Sequence, residues 1–216
     1  MSSGRVSAGR RRGMGRHRLT AKGRATRERI VAAASRLMLD HGIGRTTLAD
    51  VQAAARVSPS QLYHYFADKD ALVYAVIEWQ TDEVLTFQGK SLAGLDSFAA
   101  LEAWRDEVVD LQRRRNSMGG CPIGTLAGEL AETDERARGE LAESFAHWEE
   151  LLRRGIAAMR ERGELRPEVD PGRFALGLLA AVQGGLLLSQ TRRDVAPLEV
   201  ALDLAIAQLH TLRAQS

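Results

Sequence analysis

Residues Thr46 to Leu72, TTLADVQAAARVSPSQLYHYFADKDAL, restrict what this chain can fold into more than any other stretch. Arg56-Val57-Ser58-Pro59 divides it into two short helical segments, because Ser58 can cap a helix whose first residue is Pro59. The second segment crowds Ser60, Gln61, Tyr63, His64 and Tyr65 onto about two turns. A helix so short and so polar is not stable by its own propensity. It has to be held by neighbours on one face, and the other face is free to be presented to something.

The flanking segments supply those neighbours. A helix is expected from near Arg24 to His41, with Ile30, Ala34, Leu37 and Met38 at helical spacing and Gly42 as a left-handed C-terminal cap. Thr46 or Thr47 caps the next helix, whose Leu48, Val51 and Ala55 share the face that packs on the first. Beyond the turn, Leu62 and Phe66 point inward, which leaves Gln61, His64 and Tyr65 facing out. Asp68 caps a fourth helix, with Ala71, Leu72, Ala75 and Val76 on its buried side. These segments close a small head, and no Ser- or Pro-rich linker separates it from the rest of the chain.

Ser97 or Asp96 starts a further helix with Phe98, Leu101, Trp104, Val108 and Leu111 as its apolar stripe, broken by Met118-Gly119-Gly120-Cys121-Pro122. A short helix from Pro122 to Ala131 comes next, then a long one from Asp134 to about Arg162, with Leu141, Phe145, Trp148, Leu151 and Leu152 on one side. Two more, over 171–190 and 196–213, finish the chain. Only 5% of the 216 residues are aromatic, Ala, Leu, Arg and Glu are abundant, and no strict alternation is long enough for a sheet. The fold class is all-α. The expected division is a basic arm over 1–23, disordered when free, a helix-turn-helix head over 24–78, and a body over 79–216.

Net charge is +2, but residues 1–27 hold nine arginines and lysines and no acid, so the remainder is net acidic. A basic end on an acidic body suits a polyanion at that end. The arm lacks the apolar core of a secretory signal; it is read as DNA-contacting, with a mitochondrial transit segment as the alternative. One cysteine, Cys121, excludes an intrachain disulfide and fits a reducing cytoplasm. No apolar run reaches the ~18 residues expected of a membrane span, so no membrane is expected as a partner.

Gly42, Thr46-Thr47, Val51, Ala55, Val57-Ser58, Leu62-Tyr63, Tyr65-Phe66, Lys69 and Leu72 together resemble the signature of TetR-family repressors, over roughly residues 26–76. The runs GGCPIGTLAGELA and GGLLLSQ are similar to a multidrug-resistance-type subgroup of these regulators. The resemblance implies a homodimer that binds a double-stranded DNA operator through its heads and leaves it when the body takes a small ligand. The DNA-facing set is then Thr47, Arg56, Ser58, Ser60, Gln61, Tyr63, His64, Tyr65 and Lys69. Gln61 can bond bidentately to adenine and Ser60 to either base. Tyr63 and Tyr65 reach phosphates, with core packing as the alternative, and Thr47 and Lys69 sit at helix starts that favour phosphate. Arg56 stands where the family has a turn glycine, and Gln52 where it has a small residue. At positive φ an arginine costs on the order of 1 kcal/mol unless something offsets it.

In the body, Trp79, Phe87, Trp104, Phe145 and Trp148, with Val108 and Cys121, form the expected wall of a pocket for a small hydrophobic or aromatic effector; the alternative is plain core. His147 could orient a polar group there. A helix start lowers a thiol pKa, so Cys121 is a sensor candidate beside its reading as a small buried residue. The segment 174–188 is apolar almost all round, and Leu178, Ala181 and Gly185 with Leu202, Ala205 and Leu209 of the last helix are expected to pair two chains as a four-helix interface. A scavenging protein that binds small molecules without an operator is the alternative function. The five histidines have no metal-ligand spacing and no phosphate loop or nucleophile elbow is present, so no enzyme, cofactor or metal is expected.

Overall fold

Each expected cap is where a helix starts, and the caps explain the order of elements. The structure is a computed structural model that describes residues 19–214. Nine helices run through the described residues: α1 Ala21–His41, α2 Leu48–Ala55, α3 Pro59–Tyr65, α4 Lys69–Ala93, α5 Phe98–Arg114, α6 Pro122–Leu130, α7 Glu135–Glu161, α8 Pro171–Arg192 and α9 Ala196–His210. Side chains of Thr20, Thr47, Ser58, Asp68, Ser97, Asp134 and Asp170 accept backbone N–H bonds in the first turns they precede. The only extended pairing among the described residues is one bridge, Leu165 with Arg213, which ties the end of α9 to the α7–α8 link. The fold is all-α. The basic arm before Leu19 lies outside the described residues.

The head is α1 to α3 closed by the first turns of α4. Ile30, Ala34 and Met38 of α1, Val51 and Ala55 of α2, Leu62 and Phe66, and Leu72 and Val76 of α4 are all buried together. α1 starts at Ala21, three residues before the expected Arg24, because Thr20 accepts the Gly23 N–H. α4 is continuous across the expected boundary at 78/79, so head and body share one rigid rod.

In the body α7 lies between α4 and α8, α9 pairs with α8, and α5 lies against α9. Two glycines permit these approaches. A β-carbon on Gly155 of α7 would lie 2.6 Å from the Leu95 carbonyl, and one on Gly185 of α8 would lie 2.8 Å from the Leu198 Cα. Gly185 therefore brings α8 against α9 of the same chain.

That packing engages the expected dimer set within one chain. Leu178, Gly185, Leu202 and Leu209 are buried inside the single chain, and Ala181 and Ala205 are half-buried at its edge. The outward face of the same two helices carries Leu176, Leu187, Leu188, Val200 and Leu204, all exposed, with Leu204 at 67%. The helical period is the expected one, but the side that faces outward is the opposite one. α8 is apolar on both faces, and periodicity cannot say which one a neighbour will cover. An 18-residue window of α8 also reaches a mean hydropathy of 1.4, enough by length and composition for a bilayer span, as the core helix of a protein can. Its inner side is packed along α7 and α9.

Candidate nucleic-acid interface and effector chamber

α3 is bound to the head by its inner residues and leaves a polar face outside. Leu62 and Phe66 are buried, as their spacing predicts, whereas Pro59, Ser60, Gln61, Tyr63 and His64 are exposed, Tyr63 at 55%. Tyr65 is half-buried and packs on the core, so only part of it faces out. Its hydroxyl sits beside the first turn of α1, 3.5 Å from where a β-carbon on Gly23 would be. The end of α3 thus lies beside the first turn of α1, whose Lys22 and Arg24 are exposed.

Arg56 has φ 52° and ψ 52°, the left-handed conformation expected of the glycine it replaces. Its N–H donates to Ala53 O and the Val57 N–H to Gln52 O, at 3.3 and 3.1 Å. This is the Schellman arrangement, which closes α2 and satisfies two carbonyls. A third carbonyl, Ala55 O, accepts from Arg29 Nε at 3.0 Å. The guanidinium of Arg56 is exposed.

Helix caps engage several of the expected DNA-facing groups. Ser58 Oγ accepts the Gln61 N–H at 3.2 Å while Gln61 Oε1 accepts the Ser58 N–H at 2.9 Å. The Gln61 amide oxygen is therefore occupied, and a bidentate grip on adenine would have to break this capping box. Its NH2 stays free to donate. Ser60 shares a hydroxyl contact of 3.0 Å with Ser58. Thr47 and Asp50 form a second capping box, and the two hydrogen bonds from Thr47 hold the Asp50 carboxyl below its ordinary pKa. Lys69 Nζ donates to Ile43 O at 2.6 Å, so one of its three protons is held inside the head.

Ile43 also carries the head's link to α6. Its N–H donates to Glu129 Oε2 at 2.8 Å. A second joint is Tyr74 OH donating to Asp134 Oδ2 at 2.9 Å, with Arg136 3.9 Å over the tyrosine ring. Neither Glu129 nor Asp134 is among the residues that the sequence points to as functional. The only sequence signal for Asp134 is its role as a cap, and Glu129 has none, because its partner is a backbone group in another element.

Between α4, α5, α6 and α7 lies a cavity of about 390 Å³. Trp79, Phe87, Val108, Cys121 and Trp148 of the expected set line it. Trp104 does not reach it. That ring is wholly buried behind the wall, and its indole N–H donates to Gln88 Oε1 at 2.6 Å. Phe145 lies instead on a neighbouring hollow of about 350 Å³, which shares Cys121 and Leu186 with the first. His147 lies in neither; it is exposed on a charged cleft lined by Arg27, Glu78, Asp82, Arg136 and Glu140. The glutamines Gln80, Gln88 and Gln112 complete the chamber wall, and hydrophobic spacing gives no reason to single them out.

Cys121 caps α6, its Sγ accepting the Gly124 N–H at 3.4 Å. Burial pushes the thiol up from its ordinary pKa, against the lowering expected at a helix start. Desolvation outweighs the N–H bonds, so the residue is a neutral cap in the chamber wall.

A helix-turn-helix head with a polar recognition face, continuous with a helical body that encloses a chamber, defines a DNA-binding transcriptional regulator. Residues 30–76 match the model for bacterial regulatory proteins of the tetR family, and residues 97–205 match the tetracyclin repressor-like C-terminal domain. The chain belongs to the TetR family. It is 28% identical over 186 residues to an uncharacterized HTH-type transcriptional regulator in the lacX 3′ region of Lactococcus lactis subsp. lactis, covering 84% of this chain and 91% of the relative. It is 24% identical over 185 residues to the HTH-type transcriptional repressor DhaR of Mycobacterium sp. (strain GP1), covering 85% and 91%. A TetR transcriptional regulator from Chloroflexus aurantiacus has the same fold, with a TM-score of 0.80 and 28% identity, covering 91% of this chain and all of that one.

Proposed function

We propose that this regulator is a cytoplasmic repressor that binds a palindromic operator as a homodimer and leaves it when a small, mainly apolar effector fills the chamber. The observation that carries this reading is the single course of α4. Its first residue, Lys69, holds the head at Ile43, and Trp79, Val84 and Phe87 further along the same helix line the chamber. A ligand that displaces this wall displaces the head mounted on it, and a coupling of about 1–3 kcal/mol is enough for useful control.

On the DNA, the Gln61 amide donor, Ser60 and His64 read base edges from the exposed face of α3. Tyr63, Thr47, Lys69, Arg56 and the free edge of Tyr65 anchor phosphates. Ser58 holds the start of the reading helix in place. Arg45, exposed just ahead of the α2 cap, is added to the phosphate set. The outer stripe of α8 and α9 pairs the two chains. The boundary between head and body is a functional one, near 78/79, within a continuous helix.

Selection of bound duplexes from a random pool tests the reading. The expected product is an inverted repeat whose half-sites lie one helical turn, about 34–36 Å, or a multiple apart. Its affinity should fall steeply with salt. Enrichment of no sequence over the input pool would overturn it.

A further inference from the structure

The chamber has a hydrogen-bonding polarity set by the protein. Gln88, only 6% exposed, reaches the wall from α4, and its amide oxygen is taken by the Trp104 indole N–H. An indole nitrogen donates and never accepts. The Gln88 amide is therefore locked with its oxygen toward Trp104 and its NH2 turned the other way, without a partner among the described residues. Gln112, 4% exposed on α5, brings a second amide to the same wall. Trp148, also in the wall, has an indole N–H that is buried and unpartnered. Gln80 is different: its NH2 is used on Ser35.

The free group that Gln88 presents is thus a donor, and a ligand oxygen placed against it gains a hydrogen bond. Charge is confined to the mouth. The charged lining residues Asp40, Glu83 and Arg115 are all exposed, whereas Gln88, Gln112 and Trp148 are buried. A charged ligand would lose its hydration there without gaining a counter-ion.

From this we infer that the effector is an uncharged, largely apolar molecule bearing a carbonyl-type acceptor oxygen, which it places against the Gln88 amide donor. The inference rests on the chamber being the effector site. A group that can only donate, such as an ammonium, meets the wrong polarity at Gln88, and a plain hydrocarbon leaves that donor unmet.

Fluorenone and fluorene differ by that one oxygen at nearly constant shape, and calorimetry on the full-length protein compares them directly. Fluorenone is expected to bind about 5- to 10-fold more tightly, the worth of one net hydrogen bond. A fluorene carrying a carboxylate should bind more weakly than fluorene. In Gln88→Glu at alkaline pH, an ionised carboxylate keeps the acceptor for Trp104 and replaces the donor with a second acceptor, so the preference for fluorenone should disappear. Equal binding of the two probes to the wild-type protein overturns the inference and leaves the chamber standing as an effector site. Tightest binding by the carboxylate overturns its uncharged part. Persistence of the preference in folded Gln88→Glu overturns the role of Gln88. Failure of all three probes to bind removes the chamber reading as well. The wild-type comparison decides the matter even if the variant does not fold.

Discussion

Arg56 is the residue whose backbone works against it. An L-residue in the left-handed region carries a penalty on the order of 1 kcal/mol that glycine does not. The Schellman bonds to Ala53 O and Gln52 O hold it there. Those bonds are made by backbone N–H groups, so a glycine would keep both. Arg56→Gly is therefore expected to stabilise the head by about 1 kcal/mol, seen as a higher Tm, and to weaken operator binding while making it less salt-dependent by about one phosphate contact. A gain in stability with an unchanged salt slope would remove Arg56 from the phosphate set. Gln61 separates in a similar way. Gln61→Glu keeps an oxygen for the Ser58 N–H but loses the amide donor, so the fold should hold while operator affinity falls by tenfold or more, about 1–3 kcal/mol for a base contact. Gln61→Ala should lose the cap too, at a cost of about 0.5–2 kcal/mol. Equal Tm values for the two variants would show that the capping box contributes nothing. The positive φ at Arg56 is legible in the sequence, because a turn position imposes its conformation on whatever residue fills it. The engagement of the Gln61 oxygen is legible in the S-x-x-Q spacing, but the same amide also suits adenine, and spacing alone does not say which use prevails.

Among the elements, α6 connects the chamber to the head over only nine residues, Pro122 to Leu130. Cys121 and Pro122 at its start line the cavity, and Glu129 near its end accepts the Ile43 N–H. Lys69 takes the carbonyl of that same residue. One residue of the α1–α2 loop is thereby clamped by a helix that touches the chamber and by the first residue of the helix behind the recognition face. Glu129→Ala should leave the body folded and effector affinity close to unchanged, while effector-induced loss of operator binding drops about fivefold or more, within the range typical of coupling energies. Titrating operator complexes with effector measures this; full release by the variant would assign coupling to α4 alone. Helices of this kind are legible because caps are local: Ser58, Asp68, Ser97 and Asp134 start their helices through bonds three residues long. The Glu129 link spans 86 positions to a backbone group, and no local pattern encodes such a contact. The chamber is partly legible for the same reason. Aromatic residues mark its walls, but which side of the wall Trp104 and Phe145 occupy depends on how helices from separate parts of the chain pack.

At the scale of the whole molecule, the question is how one head becomes two. A palindromic operator requires a two-fold axis, and a two-fold axis requires one surface that is complementary to itself. The outer stripe of α8 and α9 is the candidate: Leu176, Leu187 and Leu188 on one helix and Val200 and Leu204 on the next, all exposed on the single chain. Exposed apolar residues gathered on neighbouring helices mark an interaction site where singly scattered ones do not. The inner stripe, Leu178, Leu202 and Leu209, belongs to the protomer core. The two stripes make opposite predictions under substitution. Leu204→Arg should keep the melting transition and helical content of the monomer, shift the sedimentation coefficient to that of one chain of 23.7 kDa, and abolish cooperative binding to the full operator while leaving weak binding to a half-site. Leu202→Ala should do the reverse: it removes about 2–5 kcal/mol from the protomer core without placing a charge on the outer face, so whatever protein remains folded should still pair. If Leu204→Arg remains a dimer and Leu202→Ala separates one, the inner stripe is the interface and α8 and α9 must open to form it.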